Sequence, residues 1–215
     1  CPTGFIYLVS NGRSLRNAGQ LQLRRRLRAG LTATAQYTFS KATDDAAAFS
    51  GADLNGASVA QDWLNLEAEH ARSNFDQRHL LTTQFEYSPR RLLQNFTFSG
   101  QLTAGSGLPL TPIYLTSIAG TGVIGTVRAD YTGAPLVASQ TGYYVNPAGF
   151  ALPAPGKWGS AGRNSITGPS QLNLNFGVMR TFALSNRWSA EWHVDATNIL
   201  NHVTFAGVET RVGSP

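Results

Sequence analysis

The sequence predicts an all-β chain. It reads as an antiparallel, up-and-down wall of about seven long strands, an open portion of a larger transmembrane β-barrel with long extracellular loops. Three observations predict this. Apolar and polar residues alternate with a period of two over long runs, and the connections between runs alternate between very short and very long. Charged residues make up only 13% of the chain, well under the roughly 25% of ordinary soluble domains. A period of two means strand. A globular strand usually runs about five or six residues, whereas a tilted membrane-spanning strand needs about 9–11.

Taken in order, Phe5 to Val9 begins a first strand near 4–10 that ends at Ser10-Asn11-Gly12. The second, near 17–28, sets Leu21, Leu23 and Leu27 against Gln20, Gln22, Arg24, Arg26 and Arg28, and turns at Ala29-Gly30. The third, near 31–42, has Leu31, Ala33, Ala35, Tyr37 and Phe39 on one face. Thr32, Thr34, Gln36, Thr38 and Ser40 occupy the other. Residues 43 to about 75 form an excursion rich in Asp, Glu, Ala and Gly, where Val59, Trp63 and Leu66 stand at helical spacing and predict a short helix. The fourth strand, near 78–88, alternates Leu81, Thr83, Phe85 and Tyr87 with Leu80, Thr82, Gln84 and Glu86. It breaks at Ser88-Pro89-Arg90-Arg91.

The fifth strand, near 92–104, turns Phe96, Phe98, Gly100, Leu102 and Ala104 outward and Asn95, Thr97, Ser99, Gln101 and Thr103 inward. A Gly/Pro-rich excursion then runs to Pro169, and structureless loops of that length are uncommon and usually functional. The sixth strand, near 170–182, puts Leu172, Leu174, Phe176 and Val178 opposite Asn173, Asn175, Gly177 and Met179. After a turn at 183–187 the seventh, near 188–202, sets Trp188, Ala190, Trp192, Val194 and Ala196 against Ser189, Glu191, His193, Asp195 and Thr197.

Connections are short at 29–30, 88–91 and 183–187 and long at 43–75 and 105–168. Outer-membrane barrels have short periplasmic turns and long extracellular loops. A soluble sandwich has no reason to sort loop length by end. Aromatic placement agrees: Tyr87 and Trp188 fall beside short turns, and Tyr37 and Phe39 near the other end, where interfacial girdles belong.

Several classes are set aside. No run of 18 apolar residues exists, so no transmembrane helix is expected. The net charge of +5 does not mark a nucleic-acid binder. Six of the 17 basic residues lie between Arg13 and Arg28 and seven of the 12 acidic ones between Asp44 and Asp76, which makes two charged zones and not one basic face. Cys1 is the only cysteine, so no intrachain disulfide forms, and it reads as an arbitrary cut through a longer chain. No signal peptide is visible, in keeping with that expectation.

Candidate chemistry is sparse. Glu191, His193 and Asp195 share one strand face at a spacing that metal ligands or an acid–base pair use. On a barrel, however, that face is the polar lumen. Asp76, Arg78 and His79 suggest either a hydrolytic dyad or, more simply, salt bridges anchoring a loop at a strand mouth. The excursion from Asp44 to Asp76 carries seven acids and one Arg, a net of −6 with His neutral. Such a loop collects cations or presents a solvated surface. Asn95-Phe96-Thr97 matches a glycosylation acceptor but lies in a strand.

One stretch is distinctive beyond its periodicity. Ala190-Glu191-Trp192-His193-Val194-Asp195-Ala196-Thr197-Asn198-Ile199-Leu200-Asn201-His202 resembles the penultimate-strand motif of TonB-dependent outer-membrane receptors. The similarity is greatest to the Oar-like group with an N-terminal carboxypeptidase-regulatory-like domain. Further segments resemble the same group: Thr38 to Asp45, Asn65 to Glu69, Phe75 to His79, Ala104 to Pro112, Gly159 to Ser165 and Gly168-Pro169.

The resemblance implies that residues 1–215 are the C-terminal part of such a barrel, lacking the plug and the final strand. It implies residence in the bacterial outer membrane and energy-coupled uptake of a scarce solute. The implied partners are membrane lipid and lipopolysaccharide, a plug domain and through it the TonB complex, and an unidentified solute. No nucleic acid is among them. No enzyme activity, cofactor, catalytic residue or metal ligand is expected, and no residue is assigned to the solute. The alternatives are a soluble all-β binding or adhesion module and an outer-membrane barrel hydrolase.

Overall fold

The computed structural model describes residues 12–26, 30–45, 60–62, 64–89, 93–121, 126–136, 142–205 and 207–212. The strand expected near 4–10 lies outside them. Among the described residues no helix is long and apolar enough to cross a membrane, which says nothing of a β-barrel.

The strands are β1 (Ser14–Arg26), β2 (Leu31–Asp44), β3 (Ala71–Arg72), β4 (His79–Tyr87), β5 (Phe96–Gly105), β6 (Pro109–Leu110), β7 (Ile113–Tyr114), β8 (Val127–Arg128), β9 (Asp130–Tyr131), β10 (Phe150–Ala151), β11 (Ile166–Thr167), β12 (Gln171–Ser185) and β13 (Trp188–Ala196). Six of them are long, from nine to 15 residues. They form one antiparallel meander in the order β1-β2-β4-β5-β12-β13, with β3 added beside β2. The shortest of the six still meets the span that a tilted strand needs. Among the described residues the outer edges, β1 and β13, do not pair with each other.

Register carries the alternation across the sheet. Ala33, Phe85, Gly100, Phe176 and Ala196 make one rung, and the neighbouring Thr34, Gln84, Gln101 and Asn175 make the next. A slip of one residue in any pair would mix the two sets. The sheet therefore has one apolar and one polar face. Phe85, Phe98 and Phe176 meet at ring-centroid distances of 6.4 Å on the apolar side. Gly100 makes room for them, since a Cβ there would lie 2.2 Å from the Phe85 ring.

Among the described residues the apolar face is not packed against a second large sheet: the other sheets are two-stranded ladders. Leu21, Leu23, Trp188 and Trp192 are all more than half exposed. Among the described residues seven hydrophobic ones are buried, and of these only Ala42 belongs to the large sheet. Ile113, Ile118, Val127, Ala129, Phe150 and Ala161 lie in the second excursion. A water-soluble domain has the opposite distribution. This one suits a wall with lipid outside and water inside.

Several expected boundaries shift. β12 continues through Ser185, which pairs with Trp188, so the turn shrinks to Asn186-Arg187 with an irregularity between Ala183 and Ser185. β13 stops at Ala196 and not near 202. Asn198 adopts φ 50°, its amide donates to Asn175 Oδ1, and its own side chain is bonded to the backbone of His202. Asn tolerates that left-handed conformation better than most residues. The motif's Asn198 is thus the residue that ends the strand. In place of the expected short helix stands one 3₁₀ turn, Leu66–Glu69, with Val59 and Trp63 outside the described residues. The second excursion is not structureless, because it pairs as β7–β8, β9–β10 and β6–β11.

The sorting of long and short connections sets an expected topology that proteolysis can check. A broad-specificity protease added to intact cells expressing the full-length protein should cut within 43–75 or 113–165 and spare the turn at Arg187. Cleavage at Arg187 in intact cells would invert the orientation.

Candidate functional site

The two excursions meet at one end of the sheet and form a single cap. Asp76 is its anchor. The Asp76 side chain is fully buried, its Oδ1 accepts the Ala42 amide at 2.7 Å, and its Oδ2 accepts Nε of Arg72 and of Arg78 at 3.2 and 3.1 Å. Burial alone would push this carboxyl up. The Ala42 amide and the two guanidinium groups outweigh burial and hold it below its usual range.

Two further ion pairs reach across the excursions. Arg128 meets Glu69 at 3.0 Å, and Arg163 meets Asp44, all four side chains being largely buried. Arg163 also donates to the carbonyls of Glu69 and Asp44. Gln61 bridges the same gap by donating from its side chain to the Gly159 carbonyl and accepting the Arg128 amide. Asn164 donates to the Arg72 carbonyl, and Arg72 Nη1 to Thr167 Oγ1. The acids Asp44, Glu69 and Asp76 are therefore neither a cation collector nor a solvated surface. Asp44 and Glu69 latch the second excursion to the first, and Asp76 pins the end of the first excursion to β2.

Beside this latch lies a cleft of about 450 Å³, within the size range of small-molecule sites. Its walls are mostly apolar and aromatic, with Leu110, Tyr143, Tyr144, Phe150, Ile166 and Phe205 among them. Tyr131 packs on Phe150 at 5.6 Å, and Tyr144 Oη donates to the Thr167 carbonyl. The segment 207–212 supplies one wall. It is docked through the Ile113 amide to the Thr210 carbonyl at 3.0 Å and the Val212 amide to the Ile113 carbonyl at 2.8 Å. Glu209 and Arg211 add a charged pair, 2.6 Å apart. The hydrogen bond from Arg211 holds the Glu209 carboxyl down at about 2, so it stays ionised at any ordinary pH. The arrangement can enclose an apolar or aromatic body and offer one ion pair to a polar end.

The residues singled out in the sequence fall as follows. Asp76 and Arg78 meet as the anchoring salt bridge. His79 does not join them, since its Nδ1 lies 2.7 Å from the Tyr37 hydroxyl and Phe39 packs beside it. Glu191 and His193 approach to 3.5 Å, both about half exposed, on the polar face of β13. Among the described residues no group of three or more His, Cys, Asp or Glu side chains is placed to hold a metal ion. Cys1 lies outside them. Sequence reasoning missed Arg128, Arg163, Gln61 and Asn164, whose partners stand 53 to 119 residues away.

The family model of an outer membrane beta barrel domain matches residues 3–215. No curated protein and no solved structure matches the chain.

Proposed function

The chain belongs to the outer membrane beta barrel domain family, and from that premise we propose that it is the wall and cap of an energy-coupled uptake receptor. In this reading the apolar face meets the membrane and the cleft at Tyr144, Phe150 and Phe205 receives a scarce solute from outside. The observation that carries it is the latched cap. A passive diffusion pore works best with its mouth open. Here Asp44 and Glu69 tie the two long excursions together over a partly open recess, and Asp76 fastens the first of them to β2. The segment from Ala190 to His202, which resembles TonB-dependent receptors, supports energy coupling. Its implied partners are a plug domain and the TonB complex.

Depletion of a mixed-solute medium by cells expressing the full-length protein tests this. At least one solute should disappear from the medium unchanged, and its loss should stop when the TonB complex is deleted. Depletion that continues without TonB would mark a diffusion channel. A hydrolysed product in the medium would mark a barrel hydrolase instead.

A further inference from the structure

The geometry points to a lipid site on the outside of the wall: Arg180 holds the phosphate of an anionic phospholipid in the periplasmic leaflet. The alternation of β12 puts Arg180 on the apolar face, in one rung with Phe96 and Trp192. The rung above it is Phe98, Val178 and Val194, and the rung below pairs Phe182 with Ala190. The charge is thus set on the apolar face, among apolar side chains.

Arg180 is held between two rings. Its guanidinium carbon lies 4.8 Å from the Phe96 centroid and 4.6 Å from that of Phe182. Aromatic rings attract the cation without using up its N–H groups, which stay open to a ligand. Among the described residues no carboxylate forms an ion pair with it. Glu191 and Asp195 stand on the opposite face of β13, and Glu191 is engaged by His193.

Depth then decides what that edge meets. A basic residue on the lipid side is strongly disfavoured at the midplane and well tolerated near the interface. Arg180 lies in the half of β12 nearer the short Asn186-Arg187 turn, and its rung partner Phe96 is the first residue of β5, so on that side the sheet begins at the level of Arg180. At that depth the abundant acceptor is lipid phosphate, whose oxygens the planar guanidinium fork matches in pairs. This inference rests on the barrel alone and holds whatever the barrel transports.

Lipid-selective quenching tests it on the full-length protein in vesicles. Trp63, Trp158 and Trp188 are replaced by Phe so that Trp192 is the only one of this chain's four tryptophans left to report. Brominated phosphatidylglycerol should associate beside Trp192 about fivefold more strongly than brominated phosphatidylcholine. In Arg180→Gln the ratio should fall to about one. If that variant inserts poorly, the double variant Phe96→Leu/Phe182→Leu keeps the charge and loses the stack, and it should lower the ratio as well. Equal quenching by both lipids in the protein with Arg180 intact would overturn the site. So would a fivefold preference that survives Arg180→Gln.

Discussion

Phe176→Arg should destabilise the barrel in a bilayer by about 2–4 kcal/mol, whereas Asn173→Arg on the same strand should change little. Phe176 sits mid-sheet on the apolar side, against Phe85 and Phe98 and opposite Gly100 and Ala196. An Arg there would stand well above the interfacial level of Arg180, with neither phosphate nor water beside it. Asn173 belongs to the polar rungs, where an added cation meets water. Urea unfolding of the full-length protein in vesicles measures both. Equal destabilisation of the two variants would mean that the faces have been assigned wrongly.

Asp76→Asn should loosen the cap without unfolding the wall. The substitution keeps the shape but leaves Arg72 and Arg78 without the charge they share. Removing one member of a buried pair typically costs about 3–5 kcal/mol, and the partial exposure of both arginines places this case at the low end. Amide hydrogen exchange should quicken by roughly a hundredfold at Ala42, Ser73 and Asp76, with β4 and β5 unaffected.

The pH dependence follows from the same carboxyl. Its pKa is depressed in the fold, so its contribution is present above the ordinary carboxylate value of about 3.9 and is lost as pH falls through the folded value. The cap should stay closed to about pH 4 and open below it. Asp76→Asn should lose that acid transition. An acid transition unchanged in the variant would place the sensitivity elsewhere.

The wall was legible because its signal is local. Leu172, Leu174, Phe176 and Val178 announce a strand with one apolar face without reference to any partner, and the register then only has to align such faces. The cap was not legible for the opposite reason. Ile113 and Val127 sit in ladders of two residues, with Ala129 between two such strands, too short for any period to show. The pairs that hold it join Asp44 to Arg163 and Glu69 to Arg128, and nothing in the intervening sequence marks them. Strand ends fell between these extremes. Ser185 reads as a turn residue but pairs with Trp188, and the run to His202 looks extended until Asn198 turns left-handed.

The reach of the Asp44–Arg163 contact also orders events during assembly. Its partners are 119 residues apart, and β4, β5 and most of the second excursion lie between them. Each hairpin of the wall closes between neighbouring segments, β4 with β5 and β12 with β13. The contacts of the cap close far longer stretches of chain, whose entropy must be overcome before any bond rewards it. Strand pairing therefore shortens the effective loop first and brings Arg163 within reach of Asp44. On that ordering the outer segments should fasten only after the strands have paired, and the recess beside them should form last.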